Sequence, residues 1–115
     1  GDAGFLMNVQ EMETARRLSS NITVMVWVDN AYGLISWKQW QEFGQHTDLS
    51  FGNPDWSALA AAFGWDFHGL EASADLRETL EQARDHRGPS LIVLPIDYRE
   101  NRRLTERLGK LTCSI

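Results

Sequence analysis

Ile22-Thr23-Val24-Met25-Val26-Trp27-Val28-Asp29-Asn30 is the stretch whose reading decides the fold. Its first seven residues carry no charge and are mostly β-branched. An apolar run of this length without strict alternation reads as a strand of a parallel sheet, buried on both faces. Asp29 stands where that strand should stop. Upstream, Val9, Met12 and Ala15 fall roughly on one helical face, Asn8 is placed to cap the helix, and Glu11 follows three residues later as a capping-box partner. This helix should end near Ser19-Ser20-Asn21 and feed the strand.

Downstream, Asn30-Ala31-Tyr32-Gly33 has turn composition, and Leu34 to Phe43 reads as helical or irregular. Pro54 signals a helix start, Trp56, Leu59, Ala60 and Phe63 recur at helical spacing, and Gly64 is placed to end that helix. A short strand is expected over residues 65–70. Ser73 then caps a helix with Leu76, Leu80 and Ala83 at core spacing, and Arg87-Gly88-Pro89 breaks it before a buried strand at Ser90 to Ile96. Helix and apolar strand therefore alternate, which implies an α/β fold: a mainly parallel sheet flanked by helices, with right-handed crossovers. No repeat or linker divides residues 1–115.

The 115 residues are 43% hydrophobic and 23% charged, the composition of one domain with a modest core. The apolar run is far shorter than the roughly 20 residues that cross a bilayer, so no membrane is expected. A net charge of -5 argues against nucleic acid. The denser basic patch from Arg99 to Arg107 also holds Glu100 and Glu106, and reads as a solvated helix face. The single cysteine, Cys113, forms no internal disulfide, and the expected compartment is the reducing cytoplasm.

In open parallel sheets ligands bind at the carboxyl ends of strands. Gly1-Asp2-Ala3-Gly4 reads like the exit from a strand, so Asp2 and Asp29 would stand at two such ends joined by one helix. Converging carboxylates suit Mg²⁺, which takes six oxygen ligands and completes its shell with phosphate and water. Backbone N–H groups around Ala3-Gly4 and along Ala31 to Leu34 are placed to donate to a bridging diphosphate. The plainer alternative is that each Asp is a cap or turn residue. His46, His68 and His86 show no triad or ligand spacing and read as structural or exposed.

Gly1-Asp2-Ala3, followed after a helix and a strand by Asp29-Asn30, resembles the thiamine diphosphate motif. Residues 4–15, residues 29–39, Phe51-Gly52-Asn53-Pro54-Asp55 and Leu94-Pro95-Ile96-Asp97-Tyr98 are similar to acetolactate synthase large subunits, particularly the catabolic type. The resemblance implies thiamine diphosphate and Mg²⁺ as cofactors, with Asp2, Asp29 and the Ala31 carbonyl as metal ligands and Asn30 as a neighbour. It implies that the backbone of Ala3, Gly4, Ala31, Tyr32, Gly33 and Leu34 holds the diphosphate. Ala3 replaces the commoner Gly, which matters only if its φ is positive. Trp37 and Lys38 fall near a position that shapes the family's substrate pocket, or simply pack a short helix.

The implied reaction is condensation of two pyruvates to 2-acetolactate with loss of CO₂; the alternatives are another thiamine-diphosphate-dependent 2-keto acid decarboxylase, oxidase or lyase, or a non-enzymatic interaction domain. The resemblance also implies a carboxyl-terminal piece of the cofactor-binding domain and an activating glutamate that this chain does not match. A sheet missing its neighbours would expose strand edges and an apolar face, so a homo-oligomer is expected. Glu11 and Glu13 lie on the helix behind the diphosphate turn and are not assigned that role, so no catalytic residue is expected here. The 115-residue chain mixed with pyruvate, thiamine diphosphate and Mg²⁺ should therefore produce no acetolactate; robust turnover would contradict the assignment.

Overall fold

Ser90–Pro95 forms the centre of the sheet, and its five residues from Ser90 to Leu94 are all buried. In this computed structural model, residues 1–71 and 75–98 are described. The expected Ser73 cap, the Arg99–Arg107 patch and Cys113 lie outside them. The element order is α1 (Asp2–Leu6), α2 (Glu11–Arg17), β1 (Thr23–Val28), α3 (Gly33–Phe43), α4 (Trp56–Phe63), β2 (Asp66–Gly69), α5 (Leu76–Asp85) and β3 (Ser90–Pro95). The strands run in the order β1-β3-β2, and both pairings are parallel. The α/β architecture expected from the alternating pattern is what forms.

Side chains alternate across a sheet, so Val24, Val26 and Val28 share a face with Leu91 and Val93, given the register Val24↔Leu91 and Val26↔Val93. That face carries the core of Met12, Val26, Ala60, Trp65, Leu91 and Val93, with Phe5, Val9, Ala15, Trp56, Leu59 and Phe63 packed around it. The helical stripes read from the spacing in α2 and α4 are thus the ones that bury. The Trp65 indole donates to the Met12 carbonyl at 2.9 Å, which stitches the end of α4 to α2 inside the core. A buried indole N–H without a partner would cost about 1–3 kcal/mol, so this bond explains how Trp is tolerated there.

Several expectations are corrected. β1 is not buried on both faces: Thr23 and Trp27 are exposed and only Val26 is fully buried, because β1 is an edge of the three strands. Asn8 does not cap a helix through its side chain. Residues 2–17 follow a nearly continuous helical path in which Asn8 donates from its backbone to the Phe5 carbonyl and its own carbonyl accepts from Glu11, so Gln10 is the N-cap of α2. Gly1-Asp2-Ala3-Gly4 opens the short helix α1. In α5 the buried residues are Thr79 and Ala83, one helical turn apart, while Leu80 is 40% exposed, a step round the helix from that stripe.

Gly64 closes α4 in the left-handed conformation with φ 68°, and the Asp55 carboxylate caps its start by accepting from Ser57 and Ala58 N–H groups at 2.9 and 3.0 Å. Among the described residues no helix is long and apolar enough to cross a membrane. Replacing Leu91, fully buried on the central strand, by Ala should cost about 2–5 kcal/mol in denaturant unfolding. Thr23→Ala, on the exposed edge, should cost no more than about 1 kcal/mol in the same measurement.

Candidate functional site

Asp2 is 1% exposed, an unusual environment for a carboxylate. Its Oδ1 accepts from the Ala3 N–H at 3.0 Å, and its Oδ2 accepts from the Asn30 N–H at 2.9 Å and from Asn53 Nδ2 at 2.7 Å. Three segments distant in sequence therefore meet on one side chain. Burial would raise the Asp2 pKa, but the hydrogen bonds from Asn53, Asn30 and Ala3 outweigh it and hold the carboxyl below its ordinary value.

Asp29 follows the last residue of β1 and receives the Ala31 N–H on Oδ1 at 3.4 Å. Its pKa is raised, first by burial and further by the negative charge of Asp2. The two side chains are thus close enough to repel, and their pKa values move apart. Among the described residues, the ion pairs formed by Lys, Arg or His involve other acids and neither of these two. Two converging, shielded carboxylates without a basic partner make an environment that a divalent cation relieves.

The turn after Asp29 is shaped to hold that pair. Asn30 adopts a left-handed φ of 56°, which Asn tolerates better than most side chains. Gly33 packs closely: a Cβ there would lie 2.6 Å from Asp29 Oδ2 and would push that carboxylate out of its present position. A second strap, residues 49–51, runs along the turn, with Tyr32 N–H bonded to the Leu49 carbonyl at 3.0 Å and Phe51 N–H to the Asn30 carbonyl at 3.1 Å. Ala31 and Ser50 form an isolated antiparallel bridge.

The structure brings Asp2, Asp29 and the 30–33 turn together as the spacing implied. It places Asp2 at the start of a helix, where the sequence reading had a strand exit. Three of the expected backbone donors are already engaged: the Ala3 N–H by the Asp2 carboxylate, the Ala31 N–H by the Asp29 carboxylate and the Tyr32 N–H by the Leu49 carbonyl. Gly4, Gly33 and Leu34 occupy first turns of α1 and α3, where N–H groups lack intrahelical acceptors. Ala3 lies within α1, and the positive-φ residues other than glycine among those described are Ser19 and Asn30. The methyl group of Ala3 therefore imposes no backbone strain.

Sequence reading missed two neighbours. Asn53 gives no local signal, since its partners lie 51 and 23 residues away. Tyr98 follows β3 beside the end of β1, where Ile96 N–H bonds the Val28 carbonyl at 2.9 Å. Its phenol pKa is pushed up by burial and then by the charges of Asp29 and Asp2. Away from the site, Lys38 lines an open groove of about 390 Å³ along α3 with Ile35, Gln39, Gln41, Glu42 and Phe43, and Trp37 is not part of it. His46 bonds the adjacent Thr47 carbonyl, and His68 Nε2 sits 2.8 Å from Asp66 Oδ2, a pairing across one strand face that the spacing had not flagged.

Residues 1–94 match the family model of the thiamine pyrophosphate enzyme C-terminal TPP binding domain. The chain belongs to this family. The family's cofactor is thiamine pyrophosphate, that is, thiamine diphosphate, with Mg²⁺. Among similar proteins, a catabolic acetolactate synthase of Raoultella terrigena is 38% identical over 101 residues, covering 88% of this chain and 18% of the relative. An acetolactate synthase of Bacillus subtilis is 35% identical over the same length and coverage. The chain thus spans about a fifth of the length of these relatives. In fold it is similar to a benzoylformate decarboxylase from Polynucleobacter necessarius, with a TM-score of 0.73 and 24% identity over 84% of this chain and 18% of that one.

The donor set fits the cation that accompanies the cofactor of the TPP enzymes: among the described residues, two carboxylates lack basic partners and a shielded Asn53 Oδ1 has no hydrogen-bond partner, and a glycine lets the turn lie close to Asp29. The raised Asp29 pKa gives a sign for stability. A group whose folded pKa is raised contributes stability below its unfolded value, and that contribution is lost as pH rises through the folded value. In metal-free buffer at pH 7, Asp29→Asn should therefore melt higher than the unaltered chain. The difference should shrink as pH falls below the folded pKa of Asp29, and calorimetric melts across pH check it.

Proposed function

We propose that this domain anchors the diphosphate of thiamine diphosphate through Mg²⁺ bound by Asp2, Asp29 and the Ala31 carbonyl, within an enzyme that condenses two pyruvates to 2-acetolactate with loss of CO₂. The observation that carries the anchor is the convergence of Asp2 and Asp29 without a basic partner among the described residues. The Ala31 carbonyl accepts none of the hydrogen bonds that tie its turn to residues 49–51, which supports its role as a third oxygen ligand. The names of the relatives, catabolic acetolactate synthase and acetolactate synthase, support the reaction.

Each residue has a task. Asp2, held ionised by three hydrogen bonds, supplies a permanent negative charge. A cation stabilises the ionised form of Asp29 that burial and Asp2 disfavour, so below the folded pKa of Asp29 binding releases a proton. Gly4, Gly33 and Leu34 offer first-turn N–H groups to phosphate oxygens, while Ala3 and Tyr32 line the cradle with N–H groups committed to protein acceptors. The bound cofactor supplies the carbon nucleophile that reacts with a 2-keto acid, and the residues of this chain hold it in place.

We read residues 1–115 as the carboxyl-terminal part of the cofactor-binding domain, with the activating glutamate contributed from outside this chain. Leu34, Ile35, Trp40 and Phe43 of α3 are exposed, and α3 has no buried residue, which supports a further protein surface over it in a homo-oligomer. The single cysteine supports a reducing cytoplasmic compartment. Isothermal calorimetry should show heat of thiamine diphosphate binding that requires Mg²⁺ and disappears in Asp29→Ala. Binding that persists unchanged in the presence of a chelator would overturn the anchor.

A further inference from the structure

Asn53 lies in the loop between α3 and α4, which is fastened at both ends: Phe51 N–H bonds the Asn30 carbonyl, and Asp55 caps α4. Pro54 restricts the Asn53 backbone to extended conformations, so the residue cannot be absorbed into the helix that follows. Its side-chain Nδ2 lies 2.7 Å from Asp2 Oδ2 and 2.7 Å from Asn30 Oδ1. An ionised carboxylate only accepts, so Asp2 dictates that Nδ2 faces it. Asn53 then dictates that Asn30 presents its oxygen.

Resting on the anchor reading above, we propose that Asn53 is a positioning residue for the cation site. One amide group fixes the rotation of the Asp2 carboxylate and, through Asn30, the turn that carries Asp29 and Ala31, so both halves of the anchor are preorganised by a third loop. The Asn53 Oδ1 is shielded from solvent and has no hydrogen-bond partner among the described residues. A buried acceptor of this kind calls for a donor, and the waters of a hydrated cation are donors. Groups that orient metal ligands typically change metal affinity by about 10–100-fold when removed.

The test uses Mn²⁺ as an Mg²⁺ surrogate, with binding to the full 115-residue chain followed by electron paramagnetic resonance and folding followed by metal-free thermal melts. Asn53→Leu, of similar volume, and Asn53→Ala should each weaken Mn²⁺ binding by about tenfold or more. Asn53→Gln, which keeps the amide donor, should recover part of that loss. If Asn53→Leu lacks a cooperative melt, Asn53→Ala carries the comparison. Affinity within about twofold of the unaltered chain in a folded Leu or Ala variant, or equal loss in Leu, Ala and Gln, would overturn the positioning role while leaving the anchor intact. An unaltered chain that binds no Mn²⁺ would instead overturn the anchor reading and this proposal with it.

Discussion

The carboxylate of Asp2 is the knot of this structure. It accepts from its own helix at Ala3, from the turn after β1 at Asn30 and from the loop before α4 at Asn53. A buried charge of this kind is costly unless several donors compensate it, and here three do. Removing it would leave the Asn30 N–H and one N–H of the Asn53 amide without an acceptor. The geometry of the turn after β1 and of the loop before α4 depends on that one side chain.

Asp2 and Asp29 divide the electrostatic load unequally. Asp2 is buried and Asp29 half-buried, but donors gather mainly on Asp2, so its pKa falls while that of Asp29 rises. The folded protein thus holds two neighbouring carboxylates whose proton affinities are driven apart. The rigid elements beneath them make this tolerable: β3 is buried along nearly its whole length, and the core of Met12, Val26, Ala60, Trp65, Leu91 and Val93 fixes α2, α4 and the strands against one another. Repulsion between these carboxylates is offset by packing at the sheet's centre.

Legibility in the sequence followed the range of the interactions. The α4 stripe of Trp56, Leu59, Ala60 and Phe63, its Gly64 stop and the β3 run were readable because helical and strand periodicity are local. Leu80 was misread because a spacing of four permits two neighbouring stripes, and only the partner surface chooses between them. Asn8 was misread as a cap because its own turn continues the helical path from α1. In the site, Asp2, Asp29 and the 31–34 turn were visible through motif resemblance, whereas Asn53 and Tyr98 belong to loops that reach the site only after folding.

The sequence by itself determined the α/β alternation, the apolar faces of α2 and α4, the strand positions and the family to which the 1–94 segment belongs. Those properties are written in residue type and spacing along the chain. Tertiary structure alone decided that β3 is central and β1 an edge, that Ala3 sits in a helix at no cost in φ, and that Asn53 clamps Asp2 to Asn30. Strand order and hydrogen bonds spanning 51 residues depend on which surfaces meet in three dimensions, and no local pattern encodes that.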